Sequence, residues 1–374
     1  MRLNRRLSNA REKLSKETIS STGFWGNIMP FINQGMVIPI INNSFRIEQL
    51  FRDQREDSAI QTETSQTDEE ERTVEEQLTK EWAEFIEYPM PDVHNLARIA
   101  QYFLVEQKDP VQAKAKYIEF LKALLLTIAQ DDKDYEDLAK GLKSQTQEHR
   151  FSEIVRELDY PRFPKNTEDP LRLLARLPLQ IYITTSYYDF LERALDAEGK
   201  TPHSQVCFWN STGSIVKTQH QLDPSYQPSP TQPAVYHLFG LEDYPQTLVI
   251  SEDDYMNFLI SVVEDTNTQN PIIPLKLRQA LAESPLLLLG YQLRDWDFRV
   301  LFRFILRYRK EELSPRGMII QLQPDRKRIE NVEKAAQYLS RYLDKKQFDI
   351  EWTDTESFIQ KLWEEWNKYR LGQS

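Results

Sequence analysis

In LPLQIYITTSYYDFLERAL, residues 177–195, a run of β-branched and aromatic residues gives way to a helical pattern across three small polar residues. Leu179 to Ile183 has the apolar character of a buried strand, and YYDFLERAL places its apolar residues at helical spacing. Thr184, Thr185 and Ser186 therefore form a corner at the carboxyl end of a strand. In open α/β sheets ligands bind outside the carboxyl ends of the strands, so this corner is a natural place for chemistry.

The same alternation continues to the end of the chain. After IYITT, the segments SQVCFWN, AVYHLFG, TLVI, LLLLGY, GMIIQLQ and FDIEWTD read as strands. Helices are expected between them over Tyr187–Ala197, Glu252–Glu264, Leu275–Glu283, Asp295–Glu312, Arg326–Lys345 and Thr355–Tyr369. Strand–helix alternation predicts an α/β fold: a Rossmann-like, doubly wound, mostly parallel sheet with helices on both faces. Upstream, GMVIPII, Gly35 to Ile41, is the expected first strand; its Pro39 is tolerable if the backbone there does not donate to the ladder. Residues 53–81 are rich in acids, Ser, Thr and Gln and read as an acidic loop or linker, mobile in its first half and opening an exposed helix near Asp68. Helical spacing then dominates residues 82–177, so one domain over 1–374 is expected to carry a helical insertion after its first strand. DPSYQPSPTQP is a Pro-rich surface loop.

Composition narrows the function classes. With 374 residues, 40% hydrophobic and 28% charged, the chain can bury a large core. A formal net charge of -11 argues against the basic footprint of a phosphate-backbone binder, so nucleic acid is not expected as a direct ligand. The single cysteine, Cys207, excludes an internal disulfide framework and fits a reducing, cytoplasmic compartment. No apolar run approaches the ~20 residues of a membrane span. The start MRLNRRLSNAREKLSK lacks the apolar segment of a secretory signal and reads as a short solvated helix. The histidines have no metal-ligand spacing, so no metal is expected.

Taken together, ITTSYYDFLERAL, PAVYHLFG, TLVISEDDYMNFLI, LLLLGYQLRDWDFRVLFRFIL and FDIEWTDTESFIQKLWEEW resemble the SIR2-like domains of bacteria, sirtuin relatives often found in antiphage conflict systems. The helical EWAEFIEYPMPDVHNLARIAQYF is similar to the segment those proteins insert after the first strand, and the resemblance runs from about Trp25 to Trp366. It implies an NAD-binding Rossmann-type fold and, in active members, NAD hydrolysis or deacylation. It also implies where a cofactor would lie: Asn42, Asn43 and Ser44 after the first strand, Thr185 at the second, Phe239 and Gly240, and Gly290 with Tyr291.

Three departures from the family pattern stand out. Asn42-Asn43-Ser44 replaces a Gly-Ala-Gly turn, and side chains there obstruct the close backbone approach a pyrophosphate needs. Thr185-Ser186-Tyr187-Tyr188 replaces Thr-Asn-Tyr-Asp, and a serine lacks the amide's paired donor and acceptor. Phe239 stands where active relatives carry a histidine before the glycine, while His237 lies two residues earlier, on the same face of an extended segment. The Phe239 ring is therefore expected to close the pocket. Ser186 and His237 remain the candidate catalytic residues; the plainer role of Ser186 is to cap the helix expected at Tyr187. Asp295 is likewise expected to cap a helix in which Trp296, Val300 and Phe304 pack inward. Three functions stay open: a catalytically degenerate SIR2-like component of a multi-protein system, an NAD hydrolase with a rearranged site, or another reaction on the same fold. Protein partners or self-association are expected, with FWGNIMPF and FIQKLWEEWNKY as interface anchors or core.

Overall fold

The computed structural model describes residues 21–56, 73–107, 109–163, 167–210, 226–265, 271–292, 295–309, 314–321 and 331–373. Among them seven strands form one sheet: β1 (Ile38–Ile41), β2 (Ile181–Thr184), β3 (His203–Val206), β4 (Ala234–His237), β5 (Leu286–Leu289), β6 (Gly317–Gln321) and β7 (Phe348–Trp352). The order is β3-β4-β2-β1-β5-β6-β7, and every neighbouring pair is parallel. The sheet is thus doubly wound. Strands β1, β4 and β5 are buried at every residue, which accounts for apolar runs such as LLLL in place of alternation.

Central strand β1 contains Pro39, and its pairing shows why this is tolerated. The amides of Ile38 and Asn42 donate toward β5, to Pro285 and Leu289, so the intervening odd positions face β2. Pairing with β2 begins at Ile40 opposite Ile183, beyond the point where Pro39 would need a donor. From β1 the chain builds one side of the sheet and then crosses to β5, so the carboxyl ends of β1, β2 and β5 meet at a topological switch point.

Between β1 and β2 lie α2 (Asn43–Glu56), α3 (Val74–Phe85), α4 (Leu96–Glu106), α5 (Pro110–Asp131), α6 (Glu136–Ser144), α7 (Phe151–Glu157) and α8 (Pro170–Arg176), with α1 (Ser21–Asn33) ahead of β1. Local chemistry sets several starts: a Thr73/Glu76 capping box for α3, an Asn95 cap for α4, and Asp109 and Asp169 caps followed by proline for α5 and α8. The acidic-linker expectation is corrected at both ends. Residues 53–56 complete α2, and α3 is not an exposed helix, since Leu78, Thr79, Trp82 and Ala83 are buried. Trp82 anchors the insertion through Phe103, Tyr117 and Phe120, with ring centroids 5.2–5.6 Å away. Residues 57–72, most of the expected mobile loop, lie outside the described residues.

The remaining helices are α9 (Phe190–Ala197), α10 (Glu252–Glu264), α11 (Leu275–Glu283), α12 (Trp296–Tyr308), α13 (Val332–Asp344) and α14 (Thr355–Gln373). TLVI is not a strand. A 3₁₀ turn at Pro245–Thr247 takes up its first residue, Val249 N–H donates to the Phe239 carbonyl (3.0 Å), and the Ser251 capping box starts α10 at once. The aromatic ends of the chain pack on each other: Trp25 stacks on Phe358 at 5.6 Å, and Trp25, Phe358 and Trp366 are buried. No helix among the described residues is long and apolar enough to cross a membrane.

Candidate functional site

At the switch point the three strand ends are stitched together by their own side chains. Asn42 Nδ2 donates to the Gly290 carbonyl at 3.0 Å, and Asn42 Oδ1 accepts from Thr185 Oγ1 at 3.3 Å and from the Ser44 amide at 3.4 Å. Thr185 Oγ1 in turn lies 3.0 Å from the Tyr291 hydroxyl; with the threonine proton directed to Asn42, the tyrosine donates. Burial pushes the Tyr291 phenol well above its usual range, so it stays protonated in that role. Gly290 has φ of +81°, and a Cβ there would fall 2.9 Å from Phe45 Cβ and 3.3 Å from Asn42 Cβ. Of the residues that the resemblance assigns to a cofactor, Asn42, Ser44, Thr185, Gly290 and Tyr291 are brought together here, but bonded to one another.

Above this floor lies a cavity of about 500 Å³, within the range of small-molecule sites. Asn42, Asn43 and Thr185 line it from the strand ends, Tyr187, Phe239, Tyr255 and Trp296 give it an aromatic wall, and Glu75, Glu76, Asp295 and Asp297 give it carboxylates. Phe239 does not close the pocket. Its ring stays in the cavity wall, held edge-to-face against Tyr255 (5.6 Å) and Phe258 (5.4 Å) of α10. Trp296, expected inside, is only half-buried because it faces the cavity, and Asp295 makes no capping hydrogen bond to α12. Burial pushes the Asp297 carboxyl well above the usual carboxylate range, and the nearby Asp295 and Glu75 add to the shift.

The two candidate catalytic side chains are not among the residues lining this cavity. Ser186 Oγ accepts from the Tyr188 amide (3.3 Å) and its own amide donates to Thr184 Oγ1 (2.9 Å), a turn that precedes α9 and delays the helix to Phe190. His237 has no exposure at all. Its Nε2 lies 2.6 Å from Glu192 Oε1, which also accepts from Ser204 Oγ, and its Nδ1 lies 3.1 Å from the Ser186 carbonyl. Burial alone would lower the His237 pKa, but the Glu192 carboxylate outweighs it and the net shift is upward. Gly240, with φ of +95°, turns the chain against Thr247, whose backbone lies 2.5 Å from where a Cβ would be. Its place is thus a tight turn.

Ser44 is occupied by a residue that the sequence patterns did not single out: its hydroxyl donates to Glu75 Oε2 at 2.5 Å. In Rossmann-type folds the helix after the first strand receives a pyrophosphate on its N-terminus. Here α2 has a carboxylate there already. A phosphate charge placed ~4 Å from that carboxylate would meet about 4 kcal/mol of repulsion at an effective dielectric of 20, against at most about 2 kcal/mol gained from the helix end. Of the two arginines on the wall, Arg98 is engaged by Asp92 (2.6 Å) and Glu252 (3.4 Å), and Arg299 is an exposed residue of the first turn of α12. The residues present therefore do not fit a dinucleotide seated in the usual way. Thr73 and Glu76 at capping-box spacing announce the start of α3, and with it Glu75 in the first turn; nothing in the sequence shows that this turn packs on α2.

A parallel sheet with a ligand-sized cavity at its switch point places the chain among Rossmann-like α/β proteins. More narrowly, residues 180–348 match the family model for the SIR2-like domain. The match runs from just before β2 to the first residue of β7, leaving Asn42–Ser44 and the helical insertion outside it. The SIR2-like family generally binds NAD. No curated protein matches the chain.

Proposed function

We propose that this is a catalytically degenerate SIR2-like domain that serves as a binding or structural component of a multi-protein system. The observation that carries this reading is the mutual bonding of Asn42, Thr185, Gly290 and Tyr291, which engages the polar atoms a cofactor would use, while Ser186 and His237 are turned into the protein. An antiphage setting rests on the resemblance of the sequence, and a cytoplasmic, reducing compartment on the one buried thiol, Cys207. The test is direct. Purified protein incubated with NAD is expected to release no nicotinamide, alone or in lysate under phage challenge, and Ser186→Ala and His237→Ala are expected to leave that result unchanged.

A second reading, an NAD hydrolase with a rearranged site, is favoured by one observation: the cavity remains open, with Phe239 on its wall and not across it. Under this reading nicotinamide is released, and its release depends on cavity-lining groups such as Asp297. Turnover by the wild type that is lost in Asp297→Asn would replace the first reading with this one.

A further inference from the structure

Glu75 does more than occupy space. It lies in the first turn of α3, where the Thr73/Glu76 capping box fixes the backbone, and it reaches across to the second residue of α2, Ser44. One carboxylate is thus shared between the N-terminal ends of two helices, each of which favours a negative charge. Its position is also fixed from outside the helix pair, since the Glu76 carbonyl beside it lies 3.0 Å from His94 Nδ1.

We infer that Glu75 is a resident anion that takes the place of a ligand phosphate at the α2 N-terminus and so sets the specificity of the cavity, excluding phosphorylated ligands while leaving room for an unphosphorylated one. This rests on the proposed reading of the chain as a binding component, with the switch-point cavity as the place where it binds. A neutral side chain at position 75 would vacate the anion seat without changing the floor made by Asn42 and Thr185. The cavity would then accept the phosphates that the wild type rejects.

The experiment uses the full chain and two probes, ADP-ribose, which bears a pyrophosphate and a terminal ribose on adenosine, and adenosine itself, which bears no phosphate. Titration calorimetry is run on wild type, Glu75→Ala and Glu75→Gln, the second being isosteric and still able to accept from Ser44, with thermal melts to establish that each is folded. The expected result is that both variants bind ADP-ribose at least tenfold more tightly than wild type, while adenosine affinity is the same in all three. Equal ADP-ribose binding by wild type and folded variants, including no binding by any of them, overturns the inference. So does an equal gain for both probes, which would assign Glu75 a steric role. Nicotinamide release by the wild type tests the function proposed above and is read separately, so the two failures are distinct.

Discussion

His237 has both ring nitrogens engaged by the protein, one by Glu192 and one by the Ser186 carbonyl. Two buried groups of opposite charge that satisfy each other tolerate burial, but removing one leaves the other without compensation. Glu192 Oε2 already has no hydrogen-bond partner among the described residues, so the carboxylate has little else to turn to. His237→Leu is therefore expected to destabilise the protein by about 3–5 kcal/mol in urea titrations. A loss below about 1 kcal/mol would mean that the pair is not formed. The sequence made His237 and Phe239 share a face, and only packing separates them: the ring of Phe239 has Tyr255 and Phe258 to meet, whereas His237 has Glu192. Glu192 carries no signal, in its own sequence neighbourhood, that would mark it as the partner of a histidine 45 residues distant.

Among the elements, those with strong periodicity or a long apolar run were legible. LLLL, AVYH and IPII became strands because no other placement hides unbroken apolar residues on both faces of a sheet. TLVI has the same composition but begins in a 3₁₀ turn and runs directly into a capping box, so it remains outside the ladder; composition records apolarity and not the register available to it. The burial of helix α3 is hidden for the opposite reason, since its Leu78 and Trp82 are few among acids, yet stand four apart on the buried side. Gly290 joins element to site, as the end of β5 can approach α2 only without a side chain. Gly290→Ala combines a left-handed backbone, costing about 1–2 kcal/mol, with a clash against the immovable Cβ of Phe45. A loss above about 2 kcal/mol in chemical denaturation is expected, and a change within 0.5 kcal/mol would show that the close approach is dispensable.

For the molecule as a whole, one of the links that seat the helical insertion on the parallel sheet passes through Glu242. Its backbone amide donates to the Tyr187 carbonyl (2.7 Å), beside the cavity, while its carboxylate accepts from the Phe151 amide (2.8 Å), the Ser152 amide (3.3 Å) and Ser152 Oγ (2.5 Å) at the start of α7. Burial pushes the Glu242 carboxyl from an ordinary 4.5 up to about 7, with Asp189 adding to the rise and the hydrogen bonds from α7 opposing it. The folded state therefore holds this proton more tightly than the unfolded chain does. By linkage the contribution of Glu242 to stability is greatest below pH 4.5, falls as pH rises from 4.5 to about 7, and is constant above, a total change of up to about 3 kcal/mol. Lys122, whose own pKa burial lowers, and Arg150, paired with Asp189, Glu153 and Asp243, lie around the same junction. Because these cations contribute their own pH dependence, the quantity to measure is the difference between wild type and Glu242→Gln, taken as unfolding free energies from urea titrations across this pH range. That difference is expected to shift steadily against the wild type up to neutrality and then level off; parallel curves would show that the carboxyl ionises normally and that the insertion is held by other contacts.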